Sequence, residues 1–179
     1  MHAITKDKAL RKSIHNIYLA QFAAFKACPD TLEPYDMTRM LTSLMGGKYW
    51  SWHVIGITPA ALAVFAAADF KRPPHMLQRG HKIDRSTTAR AVFNRAKPMT
   101  LNAFFKYYLE CDQTVIMTND ENKHRPYSEF PKYIAIDNID ALLFPSGTLI
   151  GWQHRKAERA FLKNLWEKQQ TKSKKRKAV

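Results

Sequence analysis

Residues 100–118 read TLNAFFKYYLECDQTVIMT, and a change of hydrophobic spacing inside this stretch decides the fold class. The first half repeats apolar residues three and four positions apart, which predicts a helix that starts after a Thr100 cap and packs one face on a core. That face consists of Leu101, Phe104, Phe105, Tyr108 and Leu109. The second half, Thr114 to Thr118, is short and apolar, which predicts a buried strand. The chain therefore mixes both kinds of element.

The same two patterns continue on both sides of this stretch. The other predicted helices are residues 6–26, 36–45, 59–69, 85–95 and 153–168. The other predicted strands are residues 49–54, 76–83, 132–137 and 142–144. A polar loop is expected over 119–128. We predict one α+β nucleic-acid-binding domain over residues 1–167, rich in helix, with a small mixed or antiparallel sheet, and a disordered basic tail over 168–179.

The composition favours a protein with a folded core and argues against several other classes of protein. With 45% apolar residues, the chain has enough apolar surface to build a core rather than remain disordered. It has no run of 18 apolar residues, which argues against a membrane partner, and its two cysteines stand too far apart for a zinc knuckle. Walker A, dinucleotide-binding and H-E-x-x-H patterns are missing from the sequence. We expect a cytoplasmic protein, or a nuclear one in a eukaryotic cell.

Charge is the strongest functional signal in the sequence. Lysine and arginine number 29 against 15 aspartate and glutamate, which gives a net charge of +14. Residues 71–98 hold eight of these cations and one acid, whereas residues 99–150 hold four cations and seven acids. Because a basic segment of this kind binds phosphates and releases their counterions, we expect a nucleic-acid partner, DNA rather than RNA. A homodimer is compatible with this charge pattern.

The densest polar cluster is QRGHKIDRSTTAR, residues 78–90. Gly80 would let a ligand approach the backbone, and the helix predicted after Asp84 would offer free N–H groups to an anion. The cations expected to contact phosphates or base edges are Arg79, Lys82, Arg85, Arg90, Arg95 and Lys97. His81 and Asp84 are candidates for an acid–base pair or for a shared metal ion. The competing interpretation is that Asp84 only caps the helix and His81 is an exposed strand residue.

A second candidate site combines Asp112 with Glu121 and Lys123. An aspartate, then apolar residues, then Glu-x-Lys is the pattern with which restriction-type nucleases hold Mg²⁺ and orient a water molecule. Asp112 and Glu121 would be the metal ligands, and Lys123 would stabilise charge on the attacked phosphate. Glu121 falls in a polar stretch rather than in a strand, so a solvated loop is the competing interpretation.

The leading hypothesis joins these signals into a small Mg²⁺-dependent endonuclease that binds DNA and cleaves it. Such a phosphodiester hydrolase needs cations that grip the strand, carboxylates that hold the metal and a group that moves a proton. The residues predicted to be catalytic are His81, Asp84, Glu121 and Lys123.

Several alternatives stay open beside this hypothesis. The main one is a non-enzymatic DNA- or RNA-binding regulator that uses the same basic segment. A metal-independent ribonuclease would use His81 or His124 as the base. A His-Asn-His nuclease would combine those two histidines with Asn102 or Asn119. Finally, the charge could serve only the solubility of an interaction protein.

Overall fold

The computed structural model describes residues 4, 6–45, 48–73, 75–124, 130–138, 140, 142–146 and 151–177, in which seven helices and four strands occur. This content confirms the predicted α+β class with helix in the majority. The helices are α1 Lys8–Ala27, α2 Pro34–Met45, α3 Pro59–Ala67, α4 Arg85–Phe93, α5 Leu101–Cys111, α6 Asn119–His124 and α7 Lys156–Lys177. The strands are β1 His53–Ile57, β2 Leu77–His81, β3 Gln113–Thr118 and β4 Ile134–Ala135. None of these described helices is both long and apolar enough to cross a bilayer.

The four strands form one mixed sheet in the order β2-β3-β1-β4. The central strands β1 and β3 run parallel, and each edge strand is antiparallel to its neighbour. The central position of β3 explains its apolar run, because a strand with neighbours on both sides is buried on both faces when helices cover it. Pairing of β2 with β3 sets His81 opposite Thr114, so the end of β2 lies beside the start of β3.

Two apolar clusters fill the interior. Helices α1, α2, α4 and α5 enclose the first, in which Tyr18 stacks on Phe104 with ring centroids 4.5 Å apart. The second lies between the sheet and helices α3 and α7, where Ile57, Phe65 and Leu162 are fully buried. The sheet is therefore covered by α3 and α7, while α2 and α4 pack against each other in the first cluster.

Helix starts follow the capping residues that the sequence offers. Thr58 and Thr100 each accept a hydrogen bond from the backbone N–H three residues further on, as predicted. Asp84 occupies the N-cap position of α4, but its side chain makes no capping hydrogen bond. Helix α2 begins at Pro34, two residues before the predicted start, and Asp36 accepts a hydrogen bond from the Glu33 N–H within its first turn.

The strand predicted at residues 49–54 begins later than expected. Residues 49–52 form turns, and β1 starts at His53. Trp50 and Trp52 are nevertheless buried, as the alternation predicted. Trp52 has a φ of 54°, a left-handed conformation that a strand does not allow.

The strands predicted after residue 130 are shorter than expected or missing. Only Ile134–Ala135 pair with β1, and residues 142–144 form no strand. The side chain of Asn138 supplies the reason, since it donates to the carbonyls of Val54 and Leu143 and accepts from the Leu143 N–H. These side-chain bonds replace the backbone ladder that a longer strand would form.

Two polar segments are more helical than predicted. Residues 119–124 form α6, although a loop was expected over 119–128, of which 125–128 lie outside the described residues. Helix α7 continues to Lys177, whereas the predicted helix ended at 168 and a disordered tail followed. Lysine, arginine and glutamine are good helix formers, and no glycine or proline interrupts residues 168–177.

Candidate functional site

A small polar pocket, the His81 pocket, opens where the sheet meets helices α2 and α4. Its volume is about 10 Å³, roughly the space that one water molecule requires. Its lining residues are Thr38, Thr42, His81, Arg85, Thr88, Tyr108, Cys111 and Asp112. An imidazole, a carboxylate, a guanidinium, a phenol, a thiol and three hydroxyls therefore meet in one place.

His81 and Asp112 lie next to each other in this pocket. Asp112 follows the last residue of α5 and directly precedes β3, so strand pairing brings it beside His81 at the end of β2. His81 Nε2 lies 3.8 Å from Asp112 Oδ1, which is an ion-pair distance rather than a hydrogen bond. The two side chains are 12% and 4% exposed. A carboxylate in this position can orient an imidazole for proton transfer. The prediction paired His81 with Asp84, which does not line the pocket.

Trp52 positions both members of this pair. Its N–H donates to Asp112 Oδ2 at 2.7 Å, and its ring meets the His81 ring edge-on with centroids 4.4 Å apart. Its carbonyl accepts from Thr114 Oγ1 at 2.9 Å and from Arg79 Nη1 at 2.6 Å. A bulky residue with a φ of 54° costs about 1–3 kcal/mol, and these contacts hold it there.

Arg79 is buried and joins the segments around the pocket. Its guanidinium donates to the carbonyls of Trp52, Phe144 and Gly151 at 2.6, 3.0 and 3.0 Å. Burial lowers the pKa of Arg79 to about 9, and the charge of Asp112 opposes part of that decrease. The guanidinium therefore keeps its proton near neutral pH. Because its donors face these carbonyls inside the protein, the expectation that Arg79 contacts nucleic acid is corrected.

Arg85 is the arginine that reaches the pocket. It is the first residue of α4, and its Nη2 donates to Thr42 Oγ1 at 3.2 Å. Its guanidinium carbon lies 5.9 Å from the centroid of the Trp52 ring. Its Nε is buried without a hydrogen-bond partner in the described part of the chain. A buried donor without a partner destabilises the folded protein by about 1–3 kcal/mol. A ligand oxygen that accepts a hydrogen bond from this Nε would remove that penalty.

The four remaining cations of the predicted contact set are exposed. Lys82 follows β2, Arg90 lies on the outer side of α4, and the last two, Arg95 and Lys97, follow that helix. None of the four forms an ion pair with another residue that the structure describes. Lys82, Arg90, Arg95 and Lys97 are called the α4 basic surface below.

The structure separates the two carboxylates that were predicted to hold Mg²⁺. Asp112 precedes β3 and Glu121 follows it, and the six residues of that strand span about 20 Å. Oxygen ligands lie about 2.1 Å from a magnesium ion, so these two side chains cannot bind the same ion. Within the described ranges, no three His, Cys, Asp or Glu residues come together as a metal site. The predicted ligand pair is therefore corrected, and Mg²⁺ itself stays a prediction.

Glu121 caps helix α6. Its Oε2 accepts from the Thr118 N–H at 2.9 Å and from the Thr58 hydroxyl at 2.7 Å, and its own N–H donates to Thr118 Oγ1 at 3.1 Å. The reciprocal bonds between Thr118 and Glu121 are a capping box, which satisfies two otherwise unpaired N–H groups of a helix start. This explains the helix in a polar stretch. Lys123 is exposed on the same helix and does not line the His81 pocket.

The residues of a His-Asn-His site do not come together in the described part of the chain. Asn102 lies on α5 and accepts a hydrogen bond from Arg11 at 3.1 Å. Asn119 begins α6 and donates to the backbone carbonyl of His75. The side chain of His124 lies outside the described residues, so its predicted role as a base stays a prediction.

The helical side of the pocket was not predicted from the sequence. Thr38 and Thr42 stand four positions apart on α2, and Thr88 is a buried residue of α4. Hydroxyls at core-facing helix positions were the available signal, because they are unusual inside an apolar cluster. Tyr108 was assigned only to the core. Burial raises the pKa of Tyr108 well above its ordinary value, and the Asp112 charge adds to this, so the phenol is a neutral donor.

Replacing Arg79 by methionine should lower the free energy of unfolding by about 3–5 kcal/mol. The reason is that the carbonyls of Phe144 and Gly151 would lose their Arg79 donor, and the carbonyl of Trp52 would keep only the Thr114 hydroxyl. Urea denaturation followed by circular dichroism measures this change. Lys82→Met, at an exposed lysine three positions away, is the matched control and should change stability by about 0.5 kcal/mol or less. A loss below about 1 kcal/mol for Arg79→Met would contradict the assigned role.

Replacing Glu121 by alanine should lower the free energy of unfolding by about 1–2 kcal/mol, since the cap of α6 is lost. The decrease should be the same in Mg²⁺ and in EDTA, because the carboxylate bonds to N–H and hydroxyl groups of Thr118 and Thr58. Asp120→Ala, at the exposed neighbouring acid, is the control. Stabilisation of the wild-type protein by Mg²⁺ that disappears in Glu121→Ala would instead identify a metal ligand.

A scan against protein-family models finds no match, and searches of the curated proteins and of the solved structures find none either. No activity or ligand is transferred from a relative, and the function is inferred from the residues described above.

Proposed function

We propose that this protein binds nucleic acid through the α4 basic surface. The observation that supports it is the placement of Lys82, Arg90, Arg95 and Lys97 before, along and after one helix. All four are exposed, and within the described residues no carboxylate pairs with them. Cations placed in this way are available to phosphates, whose contacts release counterions and provide most non-specific affinity.

Two further features favour the same partner. Arg85 lies at the start of the same helix, and helix N-termini present N–H groups to anions. The end of α7 adds the exposed Lys168 and Lys172, within a segment whose sequence contains no acid from 168 to 179. Such a protein acts as a DNA- or RNA-binding regulator in the cytoplasm, or in the nucleus of a eukaryotic cell. A homodimer would double the number of phosphate contacts.

Replacing the four cations of the α4 basic surface by alanine should weaken binding and reduce its dependence on salt. Each lost phosphate contact lowers the slope of log affinity against log salt by about 0.7–0.9, so the variant should lose up to about 3. Fluorescence anisotropy of labelled duplex and single-stranded oligonucleotides across a KCl series measures both quantities.

The matched control removes four other exposed lysines, Lys8, Lys12, Lys156 and Lys163, on helices α1 and α7. It makes the same change in net charge but leaves the α4 basic surface intact. The proposal fails if both variants lose affinity equally, because binding would then follow total charge. It also fails if the wild-type protein shows no salt-sensitive affinity for either kind of oligonucleotide.

The His81 pocket supports a second candidate function, cleavage of RNA without a metal ion. The specific observation is the 3.8 Å pair of His81 and Asp112 beside Arg85. In the proposed step His81 takes the proton of a ribose 2′-hydroxyl while that oxygen bonds to the adjacent phosphorus. The bond from phosphorus to the 5′ oxygen breaks, and this oxygen takes a proton from water. Asp112 would orient the imidazole, and Arg85 would stabilise charge on the phosphate.

This route is favoured here over the Mg²⁺-dependent endonuclease predicted from the sequence. Asp112 and Glu121 lie at opposite ends of β3, and Glu121 is bound within its capping box. Among the residues that line the His81 pocket, Asp112 is the one carboxylate, which suits an orienting role better than a two-carboxylate metal site.

If the second candidate holds, RNA should be cleaved in EDTA, and His81→Ala should lower the rate by about 100- to 10,000-fold. Asp112→Asn, which keeps an oxygen for the Trp52 N–H, should lower the rate without abolishing binding. His75→Ala, at an exposed histidine outside the pocket, is the control. Gel analysis of labelled RNA is the measurement. Intact RNA with the wild-type protein, or equal cleavage by His81→Ala, would rule this candidate out.

A further inference from the structure

We infer that a groove between helices α2 and α4 takes one unstacked base of a single-stranded nucleic acid. This inference deepens the nucleic-acid binding proposed above and rests on it. The groove has a volume of about 410 Å³, within the range of pockets that hold small ligands. Its lining residues are Glu33, Pro34, Tyr35, Ser86, Arg90 and Asn94. It is called the α2–α4 groove below.

The local sequence explains how the groove is built. Ser86, Arg90 and Asn94 are spaced four positions apart, so they form one stripe along α4 and its C-cap. The opposite wall is the first turn of α2, which begins at Pro34 and places Tyr35 at the edge. One wall thus offers hydrogen-bonding groups and a cation, and the other offers an aromatic ring.

Tyr35 is the feature that identifies the ligand as a base. Its side chain is 42% exposed, and the guanidinium carbon of Arg39 lies 5.6 Å from its ring centroid. An exposed aromatic ring next to an arginine is the arrangement on which unpaired bases stack, because every base has a flat π-face and the cation adds attraction.

The charges of the groove set the orientation of the strand. Arg90 belongs both to the α4 basic surface and to the groove lining, so a strand bound on that surface passes the groove entrance. The carboxylate of Glu33 repels phosphate but accepts hydrogen bonds from a base amino group. The amide of Asn94 can pair with a base edge in the same way. The phosphate therefore lies at Arg90 and the base between Tyr35 and Glu33.

The occupant must be single-stranded. In a duplex both faces of each base are covered by neighbouring bases, and freeing one face requires unstacking that costs a few kcal/mol. A loop or a single strand offers its bases without that cost. The groove therefore adds affinity for single strands to a surface whose cations bind either form.

The test compares the full-length wild-type protein with three tyrosine variants. Anisotropy is measured with a labelled single strand and with a hairpin duplex of the same charge. Tyr35→Ala should weaken single-strand binding by about 5- to 100-fold and duplex binding by less than about twofold. Tyr35→Phe, which keeps the ring, should bind like the wild type. Tyr49→Ala, at a tyrosine that is 55% exposed and lies outside the groove, should also bind like the wild type.

A second readout reports stacking directly. A single strand that contains 2-aminopurine should lose fluorescence on binding the wild-type protein, since stacking quenches this base, and should keep it on binding Tyr35→Ala. Circular dichroism checks that each variant is folded. If Tyr35→Ala is unfolded, the comparison of Tyr35→Phe with the wild type still tests the inference. If Tyr35→Phe fails to bind single strands, ring stacking is not the interaction.

The outcomes separate this inference from the proposed function. Salt-sensitive binding that is weakened by loss of the α4 basic surface, but is equal for both oligonucleotides and unchanged in Tyr35→Ala, would overturn the inference and leave the proposed function in place. No salt-sensitive binding to either oligonucleotide would overturn both. Selective loss of single-strand binding in Tyr35→Ala, with the quenching also lost, supports both.

Discussion

The buried guanidinium of Arg79 holds together the chain segments around the His81 pocket. Arg79 reaches from the edge strand β2 to carbonyls before β1 and in the segments around Phe144 and Gly151. A charge removed from water in this way is tolerated only when its donors find acceptors, and here Nη1 and Nη2 find them in backbone carbonyls. Through Trp52, the same contact fixes the position of Asp112 and of His81. The positions of His81 and Asp112 in the pocket therefore depend on the contacts of Arg79.

The polar features lie along one pair of helices. Residues of α2 and α4 line both the His81 pocket and the α2–α4 groove, and α4 carries the exposed Arg90. One short helix thus contributes Arg85 to the interior, Arg90 to the groove and Thr88 to the pocket wall.

The fold class could be predicted from the sequence because it depends on local patterns. The helix after Thr100 and the strand after it follow from spacing and capping, and both form as expected. The strand predicted at 132–137 is shorter than expected and the one predicted at 142–144 does not form. The reason is that Asn138 donates a hydrogen bond to the distant Val54 carbonyl, which no local sequence pattern predicts. Arg79 was predicted to be a surface cation for the same reason. The residues next to it in the sequence do not predict that its guanidinium contacts five carbonyls in distant segments.

The candidate site was predicted in part. His81, Arg85 and Asp112 were all singled out, but they were assigned to two different sites. The link between them is the antiparallel register of β2 and β3, which the sequence does not encode as a motif. The predicted metal role of Glu121 came from its place in Glu-x-Lys, but Thr118-x-x-Glu121 also matches a capping box, and that local interaction forms.

The cover of the sheet has a consequence for the order in which the chain folds. Leu162 of α7 completes the cluster on one face of the sheet, and Arg79 finds one of its acceptors 72 residues downstream, at Gly151. Contacts that close such long loops carry an entropic penalty and form after local ones. During synthesis the helices of the first cluster can pack while the C-terminal part is still inside the ribosome. Until α7 emerges, α3 is the one helix of the second cluster that can cover this face of the sheet.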